Sequence, residues 1–296
     1  MGVNIQTIKE IRFYLKKELE ELYPLHEINA MSAIILKDVL QSPHLHNLAL
    51  PETPIQKKHV QSITRICREL KKGRPLQYIL GYTEFYNCTI RVDQNTLIPR
   101  PETEELVDLI IKENRGFTGT VMDAGTGSGC IAIALAINLP GTKVTGFDIS
   151  EGAIKKAKEN ASLNHAEVTF LVADIFDPAP FLLKNSGAGL LNNPGLIVSN
   201  PPYVRSSEKK LMAENVLGHE PQGALFVPDS DPLIYYRALV KLASAILVPP
   251  GKIYFEINEA MGKPICELLT TSGYISVEII KDLNNKERII KGIINE

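Results

Sequence analysis

From Ile5 to about Leu70 the apolar residues recur at helical spacing, as in Ile11, Tyr14, Leu15 and Leu19, or Ala33, Ile34, Leu36 and Leu40, which predicts a small helical domain. Prolines at Tyr23-Pro24, Ser42-Pro43 and Leu50-Pro51 through Thr53-Pro54 cut it into four or five short helices, because the residue before a proline is pushed out of the helical region. Between Leu76 and Ile98 the pattern changes. Tyr78, Tyr82, Phe85, Tyr86, Ile90 and Val92 form aromatic and β-branched segments around Gly81 and Asn87, and a hairpin linker is expected. Pro99 and Pro101 delay the next helix until Pro101, which suits a first turn followed by the acids Glu102, Glu104 and Glu105. It should run to about Lys112.

From Thr120 onward strands and helices alternate. Strands are predicted at Thr120–Ala124, Lys143–Asp148, 168–174 and 196–200, with helices opening at Cys130 and Gly152. A helix at 233–247, a strand at 252–258 and a helix at 263–271 follow, and two helix-free strands, Ile275–Lys281 and 288–294, close the pattern. The expected fold class is α/β, a doubly wound, Rossmann-like, seven-stranded sheet whose last strands are antiparallel. The expected division is 1–74 helical domain, 75–98 hairpin linker and 99–296 sheet domain. A loop rich in Gly and Asn is read at 184–195.

Composition narrows the class of function. With 44% hydrophobic and 22% charged residues, the chain can bury a sizeable core and is not of disordered type. Its 32 basic and 34 acidic residues nearly cancel, without the basic excess that accompanies binding to a phosphate backbone. The four cysteines, Cys67, Cys88, Cys130 and Cys266, are too scattered for a zinc pair or a disulfide framework, and a reducing cytoplasm is expected. No apolar run reaches the roughly 18 residues of a membrane-crossing helix. The first residues carry no targeting signal.

Asp123-Ala124-Gly125-Thr126-Gly127-Ser128-Gly129 follows a predicted strand and opens a predicted helix, where glycines let the backbone turn and approach a ligand. The third glycine of a dinucleotide fingerprint would fall at position 130, which is Cys130, so a pyrophosphate clamp is disfavoured. Asp148 ends the second strand, where a carboxylate can accept both hydroxyls of a ribose. Asp174 closes the third strand, with Ile175 and Phe176 offering apolar surface for an adenine ring. Taken singly, such glycines serve tight turns and such aspartates cap helices. On consecutive β-α-β units in this order, they outline an adenosine pocket.

Asn200-Pro201-Pro202-Tyr203 follows the fourth strand, on the sheet edge where such folds bind ligands. Asn200 supplies a side-chain carbonyl and the stiff proline pair supplies backbone carbonyls, so acceptors converge where a substrate NH₂ would fit. An amide or aryl amine nitrogen is a poor nucleophile, because its lone pair is delocalised. Acceptors holding its hydrogens favour pyramidalisation and stabilise the positive charge that grows during methyl transfer, without a strong base. Tyr203 can stack on a planar group or orient the nitrogen. A purely structural role would make the same residues a Pro-Pro turn with Asn as a local cap.

These motifs, with Pro75-Leu76-Gln77-Tyr78-Ile79-Leu80-Gly81, Glu84-Phe85, the Thr96 to Glu104 segment, Glu220-Pro221 and Asp282 through Arg288, resemble the HemK/PrmC family of protein-(glutamine-N5) methyltransferases over nearly the whole chain. The resemblance implies methyl transfer from S-adenosylmethionine, leaving S-adenosylhomocysteine, to the glutamine of the Gly-Gly-Gln motif in class I peptide-chain release factors. It implies cofactor contacts at Gly125, Thr126, Gly127, Ser128, Gly129, Asp148, Asp174, Ile175 and Asn200, with the substrate amide held by Asn200, Pro201, Pro202 and Tyr203. Position 175, often aromatic in the family, is Ile here. The helical domain would dock the protein substrate, and a monomer with no membrane or direct nucleic-acid partner is expected.

The same loop suits methylation of the exocyclic amine of adenine in DNA or RNA, which the charge balance disfavours. The glycine loop would also serve a non-catalytic nucleotide-binding module, whereas its spacing opposes a nicotinamide dehydrogenase. His44 and His46 read as a solvated loop, His165 and His219 carry no signal, and Glu102, Glu104 and Glu105 have a structural reason at a helix start. Glu256 and Glu259 straddle a strand end and are read as structural. Lys155, Lys156 and Lys158 are read as a solvated helix face.

Overall fold

The computed structural model describes residues 5–41, 50–177, 193–212 and 214–295. Ser42-Pro43, His44, His46 and most of the 184–195 loop lie outside the described residues. The chain forms two compact units, residues 1–81 with 213–219, and residues 82–212 with 220–296.

In the first unit, α1 (Ile8–Leu19), α2 (Leu25–Leu40) and α3 (Lys57–Leu70) are amphipathic. A reciprocal cap starts α1: Thr7 Oγ1 accepts from Glu10 N and Glu10 Oε2 accepts from Thr7 N. The stripe Ile8, Ile11, Leu15 and Leu19 is buried against Ile28, Ile35 and Leu36 of α2 and Ile63 and Leu70 of α3. The start of the expected hairpin linker is instead a helical turn, α4 (Leu76–Leu80). Pro75 fits its entry and Gly81, at φ 83°, ends it, while Leu76 and Tyr78 are buried.

The second unit opens with the hairpin β1 (Tyr82–Phe85) and β2 (Cys88–Arg91). Then follow α5 (Pro101–Glu113), β3 (Thr120–Ala124), α6 (Cys130–Asn138), β4 (Lys143–Asp148), α7 (Glu151–Leu163), β5 (Val168–Val172) and β6 (Leu196–Ser199). A two-residue pair, β7 (Val204–Arg205) with β8 (Phe226–Val227), precedes α8 (Ile234–Ile246), β9 (Gly251–Glu256), α9 (Gly262–Thr271), β10 (Ile275–Lys281) and β11 (Glu287–Ile294). The main sheet has seven strands in the order β10-β11-β9-β6-β3-β4-β5. The central strands are parallel, while β11 runs antiparallel to both β9 and β10, as the sequence pattern predicts.

Strands buried on both faces read as continuous apolar runs, and β6 is buried at all of its positions. Phe255, Ile253 and Ile197 pack with Tyr236 and Leu239 of α8 and Ile265 and Leu269 of α9. The hairpin is tied to α7 by two asparagines. Asn160 Oδ1 accepts from Arg91 N at 2.8 Å and its Nδ2 donates to Arg91 O at 3.0 Å, while Asn164 makes the same paired bonds to Thr89. Lys156, expected on a solvated face, is only 18% exposed and pairs with Asp93 and Glu159. The apolar face of α7 brings it beside Asp93, which the periodicity of one helix cannot show.

Candidate active site

The chain runs outward from β3 through β4 to β5 and then returns to β6 on the other side of β3. Helices therefore leave the sheet in opposite senses, opening a crevice at the carboxyl ends of these strands. Pairing of Ala124 with Ser199 puts Gly125 and Asn200 side by side, and pairing of Ser199 with Phe255 brings Glu256 next to Asn200. A cavity of about 480 Å³ lies there, well within the size of small-molecule sites. Gly125, Thr126, Gly127, Ser128, Asp148, Asp174, Ile175, Asn200, Pro201 and Pro202 contribute to its wall; Gly129 and Tyr203 do not.

Gly125, Gly127 and Gly129 all have positive φ, at 71°, 54° and 81°. That backbone, which side chains with a Cβ rarely adopt, is the reason for the spacing. Gly129 adds a packing constraint, since a Cβ there would sit 3.0 Å from that of Ala157 and 3.1 Å from the Phe170 ring. Gly129→Ala should cost about 1–2 kcal/mol for the left-handed backbone alone, lowering the thermal midpoint by a few degrees. An unchanged midpoint in calorimetry would contradict this account of the turn.

The loop and the end of β4 order each other. Gly127 N donates to Asp148 Oδ2 at 2.9 Å, Ser150 N donates to Asp148 Oδ1 at 2.9 Å, and Thr126 N donates to Phe147 O. Burial raises the Asp148 pKa, opposed by the N–H groups it accepts. Beneath the loop, Thr126 Oγ1 donates to fully buried Asp123 at 2.6 Å, and burial pushes that carboxyl up to about 7. Asp174 Oδ1 accepts from Phe176 N at 2.9 Å, which fixes the turn carrying Ile175. Phe176 meets Tyr235 at 5.2 Å between ring centroids, and Tyr235, Ile149 and Leu239 add apolar wall.

A chain of hydrogen bonds runs behind Asn200. Its Nδ2 donates to Thr103 Oγ1 at 3.1 Å, and Thr103 Oγ1 donates to Glu256 Oε2 at 2.6 Å. Tyr203 turns its hydroxyl to the other oxygen, Glu256 Oε1, at 2.9 Å, and packs against the core beside the sheet. Glu256 is fully buried at the end of β9, and its pKa is raised by burial against the opposing bonds from Thr103 and Tyr203 and the charge of Arg288. Ser199 Oγ donates to Ala124 O at 2.7 Å, locking β6 to β3 just before Asn200.

Sequence reasoning gave Thr103 no role within the Thr96 to Glu104 segment and read Glu256 as structural. The signal available was a carboxylate at the carboxyl end of the strand next to the Asn-Pro-Pro-Tyr strand, facing a threonine in the first turn of α5. It also missed the wall formed by Leu97, Pro99 and Arg100. Buried Glu220 holds that wall, pairing with Arg100 at 2.6 Å and accepting from Ile98 N at 3.1 Å. Among the described residues no group of three His, Cys, Asp or Glu could hold a metal ion, and no helix is long and apolar enough to cross a membrane.

Asp148 in the cavity lining, the open glycine backbone and the apolar wall at Ile175 and Tyr235 together suit a nucleoside. Residues 10–81 match the PrmC N-terminal domain and residues 118–229 match a methyltransferase domain. The chain is similar to the release factor glutamine methyltransferase of Bacteroides thetaiotaomicron, at 42% identity over 96% of this chain and 99% of the relative. It is similar to the protein of the same name from Flavobacterium psychrophilum, at 39% identity over 96% of this chain and 98% of the relative. Among solved structures, a methyltransferase from Pyrococcus furiosus shares the fold, with TM-score 0.51 and 18% identity over 71% of this chain and 90% of that one.

Proposed function

The chain belongs to the release factor glutamine methyltransferase family, and we propose that it transfers the methyl group of S-adenosylmethionine to the side-chain amide nitrogen of the Gly-Gly-Gln glutamine in a class I release factor. The observation that carries this reading is the placement of Asn200, an amide acceptor, in the wall of a nucleoside-sized cavity beside the glycine loop.

S-adenosylmethionine supplies an electrophilic methyl group on a sulfonium. Asp148 would hold the ribose hydroxyls, and its backbone partners, Gly127 and Ser150 among them, keep the carboxylate pointed for this. Ile175, Phe176 and Tyr235 would flank the adenine, and the backbone at Gly125 and Gly127 would admit the tail without side-chain interference. Asn200 Oδ1 and the carbonyl of Pro201 accept the two N–H bonds of the substrate glutamine. Those bonds strengthen as the nitrogen takes on positive charge, so they act on the transition state more than on the bound substrate. One of the N–H protons then leaves to solvent, so no buried base is needed. Tyr203, turned to Glu256, stiffens the loop from behind and leaves the cavity face to Asn200, Pro201 and Pro202. The expected resting state is a monomer in the cytoplasm.

Incubation with methyl-labelled S-adenosylmethionine and either a release factor or adenine-containing DNA separates this reading from amine methylation of adenine. Label should enter the release factor; label entering DNA alone would assign the nucleic-acid reaction.

A further inference from the structure

We propose that Thr103 and Glu256 are positioning residues that decide which edge of the Asn200 amide faces the cavity. The inference rests on the glutamine-methylation reading and concerns how its acceptor is held. Glu256, at the end of β9, is set beside Asn200 by the β6–β9 register, and the first turn of α5 brings the Thr103 hydroxyl between the two.

The direction of the protons fixes the polarity of the chain. A carboxylate can only accept. Glu256 Oε2 lies 2.6 Å from the Thr103 hydroxyl and Oε1 lies 2.9 Å from the Tyr203 hydroxyl, so each hydroxyl commits its single proton to Glu256. Thr103 Oγ1 is then an acceptor towards Asn200, and the amide must present Nδ2 to it, at 3.1 Å. Because the amide is planar, Oδ1 becomes the edge that Asn200 offers elsewhere, and Asn200 lines the cavity. A buried charge thus imposes acceptor character on the site from two bonds away. With its polarity reversed, the amide would turn N–H groups towards the N–H groups of the substrate, and the acceptor would be lost.

Protonation of Glu256 on Oε2 reverses the chain, since that oxygen becomes a donor to Thr103 and frees the Thr103 proton to turn towards Asn200. The groups around Glu256 are Thr103 of α5, Tyr203 of the loop, Tyr236 of α8, whose hydroxyl donates to the Glu256 carbonyl, and the charges of Arg288 on β11 and Glu102 on α5. Burial and Glu102 raise its pKa, while Thr103, Tyr203 and Arg288 oppose the rise. Turnover should therefore fall as pH drops, beginning above the ordinary carboxylate range, as Glu256 takes up a proton.

The test compares Thr103→Val, Thr103→Ser and Glu256→Gln in the full chain, with kcat on release factor, calorimetric S-adenosylmethionine binding and the thermal midpoint. Thr103→Val, which keeps shape but removes the hydroxyl, should lower kcat on the order of 10²-fold, with cofactor affinity within about threefold. Thr103→Ser should restore kcat to within about threefold of the parent, because the relay needs only a hydroxyl there. Glu256→Gln should lower kcat in the same sense and abolish its acid limb. In an Asn200→Ala background, Thr103→Val should have no further effect, because there is no amide left to orient.

A parent enzyme that methylates no release factor would reject the glutamine reading itself. With an active parent, a Thr103→Val enzyme within about threefold of it would overturn the relay. Parallel losses of kcat, cofactor binding and thermal midpoint would also overturn it, by reducing the pair to a structural tie. If Glu256→Gln does not fold, the two Thr103 variants and the double mutant decide the question.

Discussion

Asn200→Ala lowers kcat on release factor by about 10²–10³-fold while S-adenosylmethionine affinity stays within about threefold of the parent, as expected for loss of one preorganised transition-state contact. The asymmetry follows from what Asn200 does. Its Nδ2 is taken by Thr103 and the residue lines the cavity, so on the proposed reading Oδ1 is the acceptor offered to the substrate. The substrate N–H bonds become better donors as positive charge grows on nitrogen, so the missing acceptor weighs on the transition state. The fold should survive, because Ser199 still bonds Ala124 and the strand is buried on both faces. Stopped-flow or steady-state turnover at saturating cofactor gives kcat, and calorimetry gives the cofactor affinity. Loss of affinity in proportion to turnover would place Asn200 in cofactor binding alone.

Asp148→Ala gives the converse result. Cofactor affinity should fall about 100-fold, the scale of losing hydrogen bonds to a charged group, while kcat at saturating cofactor stays within about threefold. Removing the carboxylate takes away the proposed ribose acceptor and also orphans the N–H groups of Gly127 and Ser150. The parent enzyme should show a related pH dependence. Burial raises the Asp148 pKa, so cofactor binding weakens as pH falls into a range higher than that of an exposed aspartate. Calorimetric titration across pH checks both statements; a kcat that collapses with affinity unchanged would contradict the assignment.

The sheet was legible because its strands are apolar and its punctuation strong. Thr120–Ala124, Lys143–Asp148 and Ile275–Lys281 lie where periodicity puts them, and the glycine run and the Asn-Pro-Pro-Tyr loop both fall at carboxyl ends of strands. What was not legible depends on contacts distant in sequence. Leu76–Leu80 is too short for a helical period to register, so its turn between Pro75 and Gly81 read as part of a hairpin. Asn160 and Asn164 look like ordinary helix-surface residues, yet their paired bonds to Arg91 and Thr89 tie the hairpin to α7. Thr103 and Glu256 are 153 positions apart and meet only because β9 pairs with β6 and α5 points its first turn at β9. Lone acids at helix starts and strand ends are common, and only the fold shows which of them face one another.

This chain is expected to methylate one amide nitrogen on a protein. The measurement that tests it most directly is mass spectrometry of a release factor incubated with the enzyme and S-adenosylmethionine, with the Gly-Gly-Gln variant Gln→Ala run beside it. A single methyl group localised to the side chain of that glutamine, absent from the alanine variant and from reactions with Asn200→Ala enzyme, is the predicted result. Methylation at another residue, or equal methylation of the alanine variant, would contradict it.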